Sequence, residues 1–284
     1  MTAEEKLPEP SNPLGIDGIE FIEYATSQPQ AFGALLQKMG FAAVARHRSR
    51  EVMLYRQGTM NLIVNSHASA SNAPTVSAIA LRVRDAGFAY QHSLDRGAWE
   101  MPTRAAAMEL HIPGIHGVGD SLIYFVDRYR DFSIYDVDFV PLAGTDAKPP
   151  AVAGLHYFGV VQSILGERTR DWLDFYESLF GFSVLPSGRY FGVLPKGTLL
   201  ESPCHKFYLQ LIEPPSGAEE IHWDEGLVRV GLGAPDIPAA VKELKKRGVV
   251  FVDHGSVQPS DKGALTQVYL DGVTFELVVS HLKP

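Results

Sequence analysis

One supersecondary spelling is repeated four times along the chain, and a repeat constrains a fold more than any single motif. The stretch at 85–102 reads DAGFAYQHSLDRGAWEMP and that at 236–253 reads DIPAAVKELKKRGVVFVD. Each opens on Asp at a helix N-cap position, runs for about three turns and stops at an Arg-Gly pair before an extended segment. Alternating apolar strands precede both, VSAIALRV at 76–83 and LVRVGLGA at 227–234, and similar blocks close both, DFSIYDVDFV at 131–140 and LDGVTFELVV at 270–279. A second pair lies ahead of these: FGALLQKMGF at 32–41 and FYESLFGF at 175–182 end alike in Gly-Phe. They follow the strands GIEFIEYA at 18–25 and LHYFGVVQ at 155–162. The spelling is strand–helix–strand–strand–strand, at 15–67, 76–142, 153–215 and 226–280.

A βαβββ unit has an apolar sheet face that it cannot bury alone. Pairing two units gives a curved sheet of about eight strands with helices outside, a half-closed cup. The expected fold class is therefore α+β, with two tandem modules of paired βαβββ units. The segment AGTDAKPPAVAG at 143–154, rich in Ala, Pro and Gly, separates the halves. This divides the chain into a tail at 1–14, an N-terminal module at 15–142, a linker at 143–152 and a C-terminal module at 153–284. Alternate strand positions face the concave side, so each strand can send a residue into the cup.

Composition narrows the function classes. Lys and Arg number 25 against 33 Asp and Glu, a formal charge of −8 that disfavours broad nucleic-acid or membrane-surface binding. The lone cysteine, Cys204, rules out an intramolecular disulfide, a multi-Cys zinc site and an iron–sulfur cluster. No apolar run reaches the roughly 18–20 residues that cross a bilayer. The start MTAEEKLPEPSNPLG has no basic or apolar signal region. A soluble, cytoplasmic protein is expected, and open sheet edges favour a homo-oligomer. No phosphate loop or nucleophile elbow is present.

The stretches NPLGIDGIEFIEYA, MGFAAVARHRSREVMLYRQGTMNLIVN, VSAIALRVRDAGFAYQHSLDRGAW and MELHIPGIHGVGDSLIYFVDRY closely resemble the N-terminal half of bacterial 4-hydroxyphenylpyruvate dioxygenases. The resemblance runs over 12–144 and implies the vicinal-oxygen-chelate fold, with the N-terminal module as a metal-free support. It also implies a C-terminal cup holding non-haem Fe(II) on two His and one Glu, where a 2-oxo acid is chelated and dioxygen activated. His156 in AGLHYFGVV and Glu276 in GVTFELVV occupy two ligand places, and Gln267 in LTQVYLDG that of a substrate-contacting Gln. Where the family has a second His, this chain has Arg229 in GLVRVGL, and the family's C-terminal lid helix has no counterpart before Pro284.

Arginine has no lone pair to give a metal. Either Arg229 pairs with Glu276 in a metal-free pocket or clamps a substrate carboxylate, or another ligand comes from His205, His222, His254 or His281. Across the repeat, His156 aligns with Glu20, Glu276 with Asp136 and Arg229 with Ala78, while His47 reads as a surface residue. Three functions stay open. The first is a dioxygenase-like oxidoreductase of aromatic catabolism acting on an aromatic or 2-oxo acid with Fe(II) or another divalent metal, in which Arg229 and Gln267 contact substrate. The second is a metal-free ligand-binding or accessory protein, since such modules are also fused to 3-dehydroshikimate dehydratases. The third is another metal-dependent reaction of the superfamily, an extradiol cleavage, isomerisation or lyase step.

Overall fold

The protein is described by a computed structural model covering residues 11–66, 73–102, 109–186, 188, 191–194, 197–215, 223–280 and 282. All four repeats form βα-led units. The first comprises β1 (Ile19–Ala25), α1 (Pro29–Lys38), β2 (Ala42–His47), β3 (Val52–Gln57) and β4 (Met60–Asn65). The second has β5 (Thr75–Arg82), α2 (Ala86–Asp95), β6 (Gly114–His116), β7 (Leu122–Val126), α3 (Ile134–Asp138) and β8 (Phe139–Pro141). The third has β9 (His156–Ser163), α4 (Thr169–Phe180), β10 (Ser183–Val184), β11 (Thr198–Glu201) and β12 (Tyr208–Ile212). The fourth has β13 (Gly226–Ala234), α5 (Ile237–Lys246), β14 (Gly263–Leu265) and β15 (Phe275–Val279).

Local chemistry sets the helix ends. The Asp85 carboxylate accepts the Phe88 amide at 2.8 Å and Asp236 that of Ala239 at 2.9 Å, satisfying donors that a helix start leaves unpaired. The Gly-Phe ending of α4 works through Gly181, whose φ of 77° closes the helix in the left-handed region.

The same pairing recurs in each unit. β1 runs parallel to β4, β5 to β7, β9 to β12 and β13 to β15. Antiparallel pairing of β1 with β5 joins the first two units, and β9 with β13 the last two. The two cups then meet edge to edge through Leu227 on β13 and Val76 on β5, so one curved sheet runs through the chain. Its convex side carries the helices and a continuous core in which Phe32, Phe41, Phe125, Phe180, Phe207 and Phe275 are fully buried. Phe125 of β7 and Phe180 of α4 lie 6.3 Å apart by ring centroids, which stitches the halves together.

Two expectations change. The block at 131–140 is not the strand that matches β15. Residues 134–138 are helical because Ser133 and Asp136 form a capping box, and β8 then pairs with β2 at the far edge. β7 takes the place assigned to that block, so Asp136 caps a helix and is no counterpart of Glu276. The N-terminal cup has eight strands with β8 included, but the described C-terminal cup has seven, with isolated Phe251–Thr266 and Tyr269–Val273 bridges beyond β14.

Candidate active site

β9, β12, β13 and β15 line the C-terminal cup, a shallow hollow of about 370 Å³ with the open space at its mouth included. The neighbours on β9 and β12 are aromatic. Phe158 meets Phe191 edge-on at 5.0 Å, and Tyr208 lies tilted against both, 5.0 Å from Phe158 and 4.8 Å from Phe191, so the three rings form one wall. Gly159 and Gly231, opposite one another on β9 and β13, keep the floor low. A side chain at Gly159 would strike the Tyr208 carbonyl oxygen, so this position admits only glycine.

Glu276 stands on β15 beside Gly231 and faces this cavity. Arg229, two positions back on β13, approaches it with Nε 3.2 Å from Oε2, both side chains being largely buried at 14% and 6% exposure. The contact is an ion pair without the alignment of a good hydrogen bond, since Nε has no hydrogen-bond partner among the described residues. Oε1 of Glu276 accepts the Val193 amide at 3.2 Å from a turn that Gly192 brings close, with φ of 68°. Burial raises the Glu276 carboxyl above the usual range, and Arg229 and the Val193 and Leu194 amides oppose that without cancelling it. Burial likewise pulls the Arg229 guanidinium below its ordinary value, with Glu276 acting in the other direction.

His156 opens β9 and is buried. Its Nδ1 lies 3.0 Å from the Gly154 carbonyl oxygen and its Nε2 3.0 Å from Ser280 Oγ, so both ring nitrogens are engaged by the protein. The cavity that Glu276 faces does not include it. Gln267 follows β14 and is exposed. Its backbone amide bonds Val250 and its side chain is not in the cup lining, because the strand ends at Leu265 and the chain turns outward. The alternative histidines do not assemble here either. His205 is exposed and sits 3.2 Å from Glu201, His254 is exposed, and His222 and His281 lie outside the described residues.

An Fe(II) ion asks for three lone-pair donors on one side and open positions on the other. Among the described residues no three His, Cys, Asp or Glu side chains are placed to hold a metal. Arg229 puts a permanent cation against the one carboxylate of the cup, and His156 is committed to Gly154 and Ser280. The donor set in this arrangement does not fit the ion. The lining instead combines the aromatic wall with the Glu276 carboxylate, behind which Arg229 is paired.

In the first module, Glu20 is buried and takes Arg82 Nε at 2.6 Å and Asn61 Nδ2 at 3.3 Å. The sequence reading missed Phe158, Phe191 and Tyr208 as cup residues. Aromatic residues on strands look the same whether they face a core or a cavity, and Phe191 comes from a connection with no periodic signal.

Known proteins agree with this architecture. The family model of the hydroxyphenylpyruvate dioxygenase (HPPD) N-terminal region matches residues 11–140. A protein called hemolysin VllY from Vibrio vulnificus (strain CMCP6) is 37% identical over 270 residues, covering 85% of this chain and 73% of its own. The 4-hydroxyphenylpyruvate dioxygenase of Pseudomonas sp. (strain P.J. 874) is 35% identical over 261 residues, 85% of this chain and 72% of that one. Among solved structures, a xylose isomerase-like TIM barrel/4-hydroxyphenylpyruvate dioxygenase fusion protein superposes with a TM-score of 0.74 at 23% identity. That match spans 96% of this chain and half of the fusion protein's, and establishes the fold. The chain belongs to the 4-hydroxyphenylpyruvate dioxygenase family and is a dioxygenase-like member of it, built on tandem cups of the vicinal-oxygen-chelate type.

Proposed function

We propose that this dioxygenase-like chain binds a small aromatic or 2-oxo acid in its C-terminal cup without a resident iron ion. The observation that carries the reading is the buried Arg229–Glu276 ion pair. The guanidinium cannot lose its charge, and its planar fork suits a carboxylate held by two parallel hydrogen bonds. Glu276 serves as the internal anion that keeps this cation paired when no ligand is present. The Phe158–Phe191–Tyr208 wall offers aromatic faces and edges against which a ring can pack.

A titration calorimetry experiment with phenylpyruvate on chelator-treated protein tests this. Binding at one site per chain is expected, weakened at least tenfold by Arg229→Met. The second reading keeps the family's Fe(II) chemistry and draws on the 35% identity to a 4-hydroxyphenylpyruvate dioxygenase. Stoichiometric iron that is lost in His156→Ala, with oxygen uptake on 4-hydroxyphenylpyruvate, would establish that reading and overturn the first.

A further inference from the structure

The N-terminal cup is the roomier of the two, about 1160 Å³ with its mouth included against about 370 Å³ for its C-terminal counterpart. The difference begins on the central strand. Where β13 carries Arg229, β5 carries Ala78 and Ala80, opposite Glu23 and Phe21 of β1, so no long side chain comes from the central strand at these two positions.

The groups around the hollow are specific. Phe21 and Tyr124 pack tilted at 5.9 Å, and His47 meets Phe139 edge-on at 5.2 Å, so flat rings face the space from two sides. Glu23 sits at the floor. Its Oε1 accepts Asn65 Nδ2 and Ser77 Oγ, both at 3.1 Å, while Oε2 takes no hydrogen bond from the described residues. Burial raises its carboxyl above the ordinary range, and the Asn65 and Ser77 hydrogen bonds and the Arg50 charge oppose that without cancelling it. At the mouth, Arg50 is already held by both oxygens of Glu109. Burial lowers the His47 imidazole, and Asp138 adds a further carboxylate to the lining. The charges around the hollow therefore sum to negative. An anion would be repelled, and a neutral ring with a hydroxyl donor would both fill the slot and satisfy Glu23.

We propose that the N-terminal cup is a second binding site, taking a small phenol whose ring lies between Phe21, Tyr124 and Phe139 and whose hydroxyl donates to Glu23 Oε2. The site needs no metal. It would give the first module a role besides support, and His47 lines a cavity where a surface residue was expected.

The test is a titration of the full chain with phenol, and separately with benzoate, followed by calorimetry and by protein-observed NMR shifts. Phenol is expected to bind at one site with a dissociation constant on the order of a millimolar. Benzoate is expected to bind this cup at least tenfold more weakly. Glu23→Leu removes the acceptor and should weaken phenol at least tenfold. Ile63→Phe fills the slot beside Glu23 and should abolish binding while circular dichroism stays unchanged, a control if the first variant fails to fold. No phenol binding up to 20-fold above that constant, equal binding of benzoate in this cup, or unaltered phenol affinity in Ile63→Phe would each overturn the proposal. So would phenol shifts confined to Phe158, Tyr208 and Glu276. None of these outcomes bears on the acid-binding reading of the other cup, which is tested by phenylpyruvate and Arg229→Met.

Discussion

Replacing Arg229 by Met removes the cation but keeps most of the apolar stem, leaving Glu276 in a place where only 6% of its side chain reaches water. A buried carboxylate without its partner does not stay charged; it takes up a proton. The cost of that proton can be worked out. A glutamate in the unfolded chain titrates near about 4.3, and each pH unit above that is worth about 1.4 kcal/mol. Holding Glu276 neutral therefore costs the folded variant about 4 kcal/mol at pH 7 and about 1 kcal/mol at pH 5. The upper figure falls in the range of about 3–5 kcal/mol for breaking one side of a buried pair. The sign follows from proton counting. Between the unfolded value and the raised folded one, the folded variant holds a proton that the unfolded chain has released, so its stability is greatest at low pH and declines as pH rises. In the intact protein the Glu276 carboxyl is raised in the same direction, with Arg229 pulling it back. The reference is the double variant Arg229→Met/Glu276→Gln, which lacks the titrating group but keeps the same packing change. Urea unfolding at pH 5 and pH 7, followed by circular dichroism, should show the single variant losing about 3 kcal/mol more than the double one between the two conditions. Parallel pH dependences in the two variants would refute the reasoning, because Glu276 would then be solvated or never charged in the cup.

The core and the helix caps give two further expectations. Phe180 is fully buried and packs against Phe125, Phe175, Tyr176 and Phe182, so Phe180→Ala should cost about 3–5 kcal/mol in denaturant unfolding. Asp236→Ala removes the acceptor of the Ala239 amide and should cost about 1 kcal/mol, while Asp236→Asn retains most of the cap in the same assay.

Capping and periodicity are local properties, and those features of the chain were legible. Asp85 and Asp236 start helices as their positions imply, Gly181 ends one, and the four repeats become four units that pair in twos. The family resemblance over the first half was equally plain, because long motifs leave little room for coincidence. The block at 131–140 misled for an instructive reason. Its apolar alternation reads as a strand, but a Ser-x-x-Asp capping box satisfies backbone donors locally and turns residues 134–138 into helix. Gln267 shows a different limit of reading from the chain. It falls after the last ladder pair of β14, so strand parity no longer controls where its side chain goes.

The sequence by itself determined the architecture of tandem cups, the membership of a dioxygenase family and the presence of Arg229 where a histidine ligand is expected. Those depend on residue type, spacing and helix-end chemistry, which act over a few neighbours. Only the tertiary structure decided that Arg229 spends its charge on Glu276, that His156 is engaged by Gly154 and Ser280, and that the emptier cup is the first one. Those outcomes depend on register between strands far apart in the chain. A shift of one residue would turn Glu23, Ala78 or Glu276 to the opposite face of the sheet.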